Sequence, residues 1–305
     1  MSAPVRSGPA CSSCSLDSLL VSGIDPCLIV LSAVPVSSNR GESVPPASAP
    51  PRLDVIIPVY NEEAILPRSI GTLVSFLRGN VDISYRVLIT DNASIDRTQE
   101  VSERLAREYD EVEYRRIPQK GRGGALKTVW LESPAEFCTY MDVDLSTNLT
   151  AFPLLLERLR NGDDVVIGTR LAADSDTVRS FKREVLSRGY NFLVKLFFRT
   201  RFTDAQCGFK GVRRAAVQRL VPQVEDRKWF FDTELLVLAE KSGHRIGEVP
   251  VDWIEDLDTR VQLVRTISDD LSGLFRLARS LPGVLRRIEE ARGERPEPAA
   301  DPLSS

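Results

Sequence analysis

Histidine is almost missing from this sequence: His244 is the only one in 305 residues. Nucleophile-histidine-acid triads and histidine-rich zinc centres both need an imidazole held by the rest of the site. Chemistry here therefore has to run on carboxylates and cations, with or without a metal ion. His244 itself stands in Ser242-Gly243-His244-Arg245 and reads as a surface residue in a helix-to-strand turn. Cysteine is scarce and odd in number, with Cys11, Cys14, Cys27, Cys138 and Cys207 scattered along the chain. That excludes a disulfide framework and fits a reducing compartment. Cys11 and Cys14 form one C-x-x-C pair with neither a second pair nor a nearby histidine, a weak zinc signal. Long apolar runs are lacking too. The nearest approach to a span of about 18 residues, from Ser18 to Val34, is broken by Gly23, Asp25 and Pro26, and only Arg6 precedes it, so it does not read as a secretory signal. Finally there is no excess of one charge: 40 Lys and Arg face 43 Asp and Glu, which gives no reason to expect nucleic-acid binding.

What is present is organised in three stretches. Residues 1–51 are rich in Ser, Pro and Ala and read as a disordered leader, and 293–305 read as a disordered tail. Between them, from 52 to 265, strand-like and helix-like patterns alternate. Val55-Ile56-Ile57-Pro58-Val59 reads as a strand, followed by apolar positions at three-four spacing through Leu66, Ile70, Leu73, Val74 and Leu77. Further strands are expected at 86–90, 112–117, 139–142 and 165–168, with intervening helices, one of which Ser94 could cap. Such alternation predicts an α/β fold, a Rossmann-like, mostly parallel central sheet with helices on both faces. A C-terminal amphipathic helix region is expected at 266–292.

In parallel sheets ligands bind beyond the carboxyl ends of the strands. There the chain places Pro58 to Glu63, then Asp91, Asn92, Ser94 and Asp96, then Lys120-Gly121-Arg122-Gly123-Gly124, then Asp142-Val143-Asp144. Taken singly, each reads equally well as a cap, a turn or a solvated loop. Taken together they suit a sugar nucleotide. Asp142 and Asp144, on one side of an extended segment, can hold Mg²⁺ or Mn²⁺ against a diphosphate. The glycines let backbone approach a ligand, Lys120 and Arg122 add cations, Asp91 can hydrogen-bond a base and Tyr60 can pack on a ring.

These pieces resemble family-2 glycosyltransferases of the GT-A fold, and within them the dolichyl- or polyprenyl-phosphate glucose and mannose synthases. The resemblance runs from about Leu53 to Arg279 through P-V-Y-N-E-E (58–63), D-N-A-S-I-D (91–96), K-G-R-G-G-A (120–125), D-V-D-L (142–145), G-T-R (168–170), K-R-E-V-L-S-R-G-Y-N (182–191), D-A-Q-C-G-F-K (204–210), F-D-T-E-L-L (231–236) and D-T-R-V (258–261). It implies that Pro58, Tyr60, Glu62 and Asp91 hold the nucleoside of UDP-glucose or GDP-mannose. It implies that Asp142, Val143 and Asp144 line the diphosphate and metal, that Arg260 approaches the phosphates, and that Arg170, Arg183 and Ser187 meet the acceptor phosphate. Some relatives carry a glutamine ligand two positions after the second aspartate, where this chain has Ser146.

The activity so implied is inverting transfer of a hexose, glucose before mannose, to a polyprenyl phosphate. A phosphate monoester is already ionised near neutral pH and needs positioning more than a base. Asp232 and Glu234 lie where relatives acting on hydroxyls keep a base, while Asp232 reads equally well as a helix cap. Two rival readings stand beside this one: a soluble transferase acting on a sugar hydroxyl, and a nucleotide-binding module without catalysis. Helical stretches with wide apolar arcs and basic edges, at 185–199 and 271–287, suit peripheral attachment to the cytoplasmic face of a membrane, with room for a membrane-embedded partner protein.

Overall fold

The computed structural model describes residues 52–170, 177–178, 181–254 and 263–293. The leader, the tail beyond 293 and Arg260 lie outside the described residues, as does the side chain of Arg183. Leu53–Val59 forms β1, whose residues are nearly all buried, the mark of a strand covered on both faces. Helix α1 (Leu66–Asn80) follows, with Pro67 in its first turn, where a missing N–H costs nothing, and Leu66, Ile70, Leu73, Val74 and Leu77 turned inward. Then come β2 (Tyr85–Asn92), α2 (Thr98–Glu108), β3 (Val112–Ile117), α3 (Arg122–Glu132), β4 (Phe137–Met141), α4 (Phe152–Arg160) and β5 (Val165–Thr169). After a short β6 (Thr177–Val178) the chain continues through α5 (Phe181–Phe198), β7 (Phe209–Arg213), α6 (Arg214–Leu220), α7 (Phe231–Lys241), β8 (Ile246–Pro250), β9 (Trp253–Ile254) and α8 (Leu263–Gly293).

Seven strands make one sheet in the order β3-β2-β1-β4-β7-β5-β8, and β6 pairs with β9 in a second, two-stranded one. Every neighbour pair in the large sheet is parallel except those of β7, which runs antiparallel to β4 and to β5. Strand order reverses between β1 and β4, so the ends of β1, β2 and β4 open onto one crevice. Because β7 is inverted, its beginning rather than its end reaches that edge: Phe209 sits opposite Met141. The loop 204–208 is thereby delivered beside Asp142.

Helix α7 is buried from Phe231 to Ala239, a helix enclosed on all sides. It packs against the start of α3 at a distance only glycine permits: a Cβ on Gly123 would stand 2.4 Å from Phe231 Cβ and 2.8 Å from the Lys228 carbonyl oxygen. The expected use of these glycines, backbone approach to a ligand, is therefore corrected. They let the chain approach itself, and the N–H groups of Gly123 and Gly124 already donate to the Lys228 and Arg227 carbonyls.

Helix α8 reaches the loop 204–208 through one side chain. Asp270 is 4% exposed; its Oδ2 accepts from Gln206 Nε2 at 3.0 Å and its Oδ1 has no hydrogen-bond partner. Burial, with Asp226 and Asp269 adding to it and the Gln206 bond opposing it, pushes this carboxyl up to about 7.

Two outcomes follow. Gly123→Ala, forcing α3 off α7, costs about 1–3 kcal/mol and lowers Tm by roughly 2–10 °C, read by differential scanning calorimetry. Asp270 contributes most when uncharged, so its share of stability is complete below the ordinary carboxylate range and is lost as pH rises through about 7. Urea titrations between pH 5 and 8 therefore show wild-type stability falling across that window more steeply than Asp270→Asn stability; parallel curves would contradict the assignment.

Candidate active site

The ends of β1 and β2 are stitched together before any ligand arrives. Asn61, held at φ 57°, donates its N–H to Ser94 Oγ at 2.9 Å and accepts from the Ile95 N–H at 2.9 Å. The Glu62 N–H donates to Thr98 Oγ1 at 2.8 Å. Ser94 is thus a bridge to the first loop rather than the cap of α2, which begins at Thr98. Asp91 is fully buried. One oxygen accepts from the Ser94 N–H at 2.8 Å; the other accepts from the Tyr114 hydroxyl at 2.9 Å and Arg116 at 3.1 Å. Burial and the Asp91 bond push Tyr114 up to about 12, so it remains a donor. Nearby, Lys120 Nζ lies 3.7 Å from the centroid of the half-buried Tyr60 ring. Pro58 pairs in register with Thr90 at the end of β1. Asn92 Oδ1 accepts from the Gly121 N–H at 2.6 Å and so fixes the turn that presents Arg122.

Asp142 and Asp144 do not lie on an extended segment as the alternation suggested. β4 stops at Met141, and the Leu145 N–H closes back on the Asp142 carbonyl at 3.2 Å with Leu145 at φ 51°. Both aspartates stand on this turn, with the buried Val143 between them in sequence. Asp142 Oδ2 lies directly over Gly208, where a Cβ would come within 1.7 Å of it, and the Asp142 N–H donates to the Gly208 carbonyl. Asp144 Oδ1 accepts from the Ser146 N–H at 3.0 Å. Among the described residues no group of three or more His, Cys, Asp or Glu is placed to enclose a metal. A donor set of two carboxylates, with the Asp142 side chain 43% exposed, fits a hard divalent cation that fills its shell with water and ligand oxygens.

Behind Asp142 stands a buried charged chain. Arg122 donates to Asp142 Oδ1 at 2.9 Å and to Asp232 Oδ2 at 2.7 Å. Asp232 Oδ1 in turn accepts from the Tyr140 hydroxyl and lies 3.2 Å from Lys210 Nζ, whose side chain is wholly buried. Burial works against the Arg122 cation, yet Tyr140, Asp142 and Asp232 together hold it well above its ordinary range. Burial likewise opposes the Asp232 anion, and Lys210 and Arg122 outweigh it, so that carboxyl stays ionised. Asp232 does not cap α7, and both of its oxygens are engaged. Glu234, 1% exposed, is clamped by Arg276 at 2.7 Å and by the Asp226 N–H at 2.9 Å.

On the far side of the loop 204–208, Arg170 donates from Nε and Nη2 to the two oxygens of the buried Asp204 at 2.7 and 2.9 Å. Burial disfavours the cation, and Asp204 overrides it, raising Arg170 further and lowering itself. The Ala205 N–H donates to Asn191 Oδ1 on α5 at 2.9 Å. Also on α5, Ser187 Oγ is buried without a hydrogen-bond partner. Sequence reasoning missed Tyr140, Asp204 and Lys210 as members of this constellation. The signal for Lys210 was available: a lysine inside the apolar run of β7 needs a buried acid opposite it.

The glycosyl transferase family 2 profile matches residues 54–221. Glycosyltransferase AglD of Haloferax volcanii is 38% identical over 245 residues, 77% of this chain but 39% of that protein. A dolichyl-phosphate beta-glucosyltransferase of Drosophila melanogaster is 32% identical over 218 residues, 67% of each chain. Among solved structures, glucosyl-3-phosphoglycerate synthase from Mycobacterium tuberculosis in complex with Mn²⁺, UDP and phosphoglyceric acid superimposes with a TM-score of 0.55 at 15% identity, covering 78% of both chains. At that identity what is shared is the GT-A fold. With the profile spanning more than half of its length, the chain belongs to glycosyl transferase family 2.

Proposed function

We propose that the chain moves glucose, with inversion, from UDP-glucose to a polyprenyl phosphate at the cytoplasmic face of a membrane. The observation that carries this reading is the loop 204–208, which grips Arg170 through Asp204 at one end and lies under Asp142 through Gly208 at the other. A cation suited to an acceptor phosphate and a carboxylate suited to a metal-held diphosphate thus belong to one rigid unit. The name of the Drosophila relative supports the acceptor, although the chain spans about two thirds of that protein and only 39% of AglD.

On this reading Pro58, Tyr60, Glu62 and Asp91 seat the uridine, and Lys120 moves between the Tyr60 face and the donor phosphates. Asp142 and Asp144, flanking Val143, hold Mg²⁺ or Mn²⁺, which when bound neutralises charge on the leaving diphosphate. Arg260 approaches the same phosphates. Arg170, Arg183 and the orphan hydroxyl of Ser187 receive the acceptor phosphate. One of its oxygens bonds to the anomeric carbon while the bond from that carbon to the UDP oxygen breaks, so no proton has to be removed. The engagement of Asp232 and Glu234 supports this: neither is placed to deprotonate a sugar hydroxyl. Asp232 acts instead by holding Arg122 on Asp142.

The membrane side is supported by α5 and α8. No helix of the described residues is long and apolar enough to cross a bilayer. Yet α5 exposes Phe192 and Leu196 among Arg188, Lys195 and Arg199, and α8 exposes Phe275 and Arg279. The two helices meet through an edge contact between Phe197 and Phe275 at 5.2 Å. A mixed apolar and basic face of this kind suits an anionic lipid surface.

Incubation of the purified protein with polyprenyl phosphate and labelled UDP-glucose or GDP-mannose, with and without Mn²⁺, yields a glucosylated lipid only from the first donor. Asp144→Asn lowers that turnover by at least about 100-fold with Tm unchanged, and absence of lipid-linked product from either donor refutes the proposal. Replacing Phe192, Leu196 and Phe275 together by Ser weakens sedimentation with anionic vesicles by about tenfold or more. Vesicle binding unaffected by that triple change would remove the membrane surface from the assignment.

A further inference from the structure

One large aromatic near the carboxylates is neither core nor part of the membrane-facing helices. Trp229 stands just before α7 and is 47% exposed, whereas the next two residues, Phe230 and Phe231, are buried at 2% and 0%. An indole left in solvent beside two well-packed phenylalanines is not there to fill the core. It is not loosely held either. The Arg122 guanidinium carbon lies 5.1 Å from the Trp229 ring and 4.8 Å from the Tyr140 ring, so the cation steadies the indole while donating to Asp142 at 2.9 Å. The exposed indole is thus one guanidinium away from the carboxylate assigned to the diphosphate.

The geometry points to Trp229 as the platform for the hexose of the sugar-nucleotide donor. Hexoses present axial C–H bonds on one face, and these carry partial positive charge that suits the negative face of an indole. A ring so placed binds the sugar without a hydrogen bond to any one hydroxyl, and it leaves the nucleotide to Tyr60 and Asp91. Arg122 on Trp229 also ties the sugar contact to the charged chain behind it, because the same guanidinium reads Asp142. This inference rests on the donor reading above and adds to it the residue that meets the transferred group.

The test separates sugar from nucleotide. Titration calorimetry with UDP-glucose and with UDP, each with Mn²⁺, is run on wild type, Trp229→Phe and Trp229→Leu. The leucine variant is expected to bind UDP-glucose about tenfold more weakly and UDP within about twofold of wild type, with the phenylalanine variant between. The wild-type-minus-Trp229→Phe fluorescence difference, which isolates this indole from Trp130 and Trp253, is expected to change on adding UDP-glucose and not on adding UDP. Equal weakening of both ligands overturns the inference, as does no weakening of either. A rise confined to the KM for polyprenyl phosphate overturns it too, by moving the indole to the acceptor. Wild-type protein that binds neither ligand refutes the donor reading itself, and the platform with it.

Discussion

A single guanidinium, that of Arg122, carries the arrangement. It joins the exposed carboxylate at the end of β4 to a carboxylate inside α7, and that second carboxylate is in turn neutralised by Lys210 from β7. Four elements, α3, β4, β7 and α7, are locked by charge in a place where charge is expensive. Removing one partner from such a set leaves an uncompensated ion in the core, at a cost of about 3–5 kcal/mol. This buried set of charges stands directly behind Asp142, the side chain proposed above to face a polyanion. On the proposed reading, a carboxylate held this way needs little reorganisation when a cation and a diphosphate arrive, which is the preorganisation on which electrostatic catalysis rests.

The sheet explains why the two halves of the site come from different kinds of connection. The residues proposed to seat the nucleoside follow β1 and β2, and the carboxylate turn follows β4, as strand ends at a topological switch point should. The loop proposed to serve the acceptor side instead precedes β7. The inverted strand lets the loop 204–208 approach from α5 and run directly under Asp142, where only Gly208 fits. The same loop is tied to α5 by Asn191 and to α8 by Asp270.

Much of this was legible in advance, and the failures have physical causes. The strands at 86–90 and 165–168 declared themselves as apolar runs bounded by polar loops, and β2 and β5 occupy those places, while β3 lies at 112–117, where a strand was also expected. Period-two reasoning failed at Asp142 and Asp144 because a turn with Leu145 at φ 51° intervenes, and such a conformation leaves no mark in the apolar pattern. Ser94 was misassigned because a hydroxyl before a helix is ambiguous between a local cap and a bond to a distant loop. The glycines of 121–124 were visible, but whether a glycine makes room for a ligand or for the protein's own chain depends on Phe231, more than a hundred positions away. Long-range charge pairing, such as Lys210 with Asp232, has no local spacing at all.

The inversion of β7 also bears on how such a fold diversifies. Parallel strands commit their following loops to the crevice, whereas one reversed strand opens the crevice to whatever segment happens to enter it. Lengthening or replacing the stretch between β5 and β7 would leave the loops after β1 and β2 and their stitching through Asn61 and Ser94 untouched. On the proposed reading, acceptor preference can then drift apart from donor binding, provided that a glycine is kept where Asp142 lies over the loop.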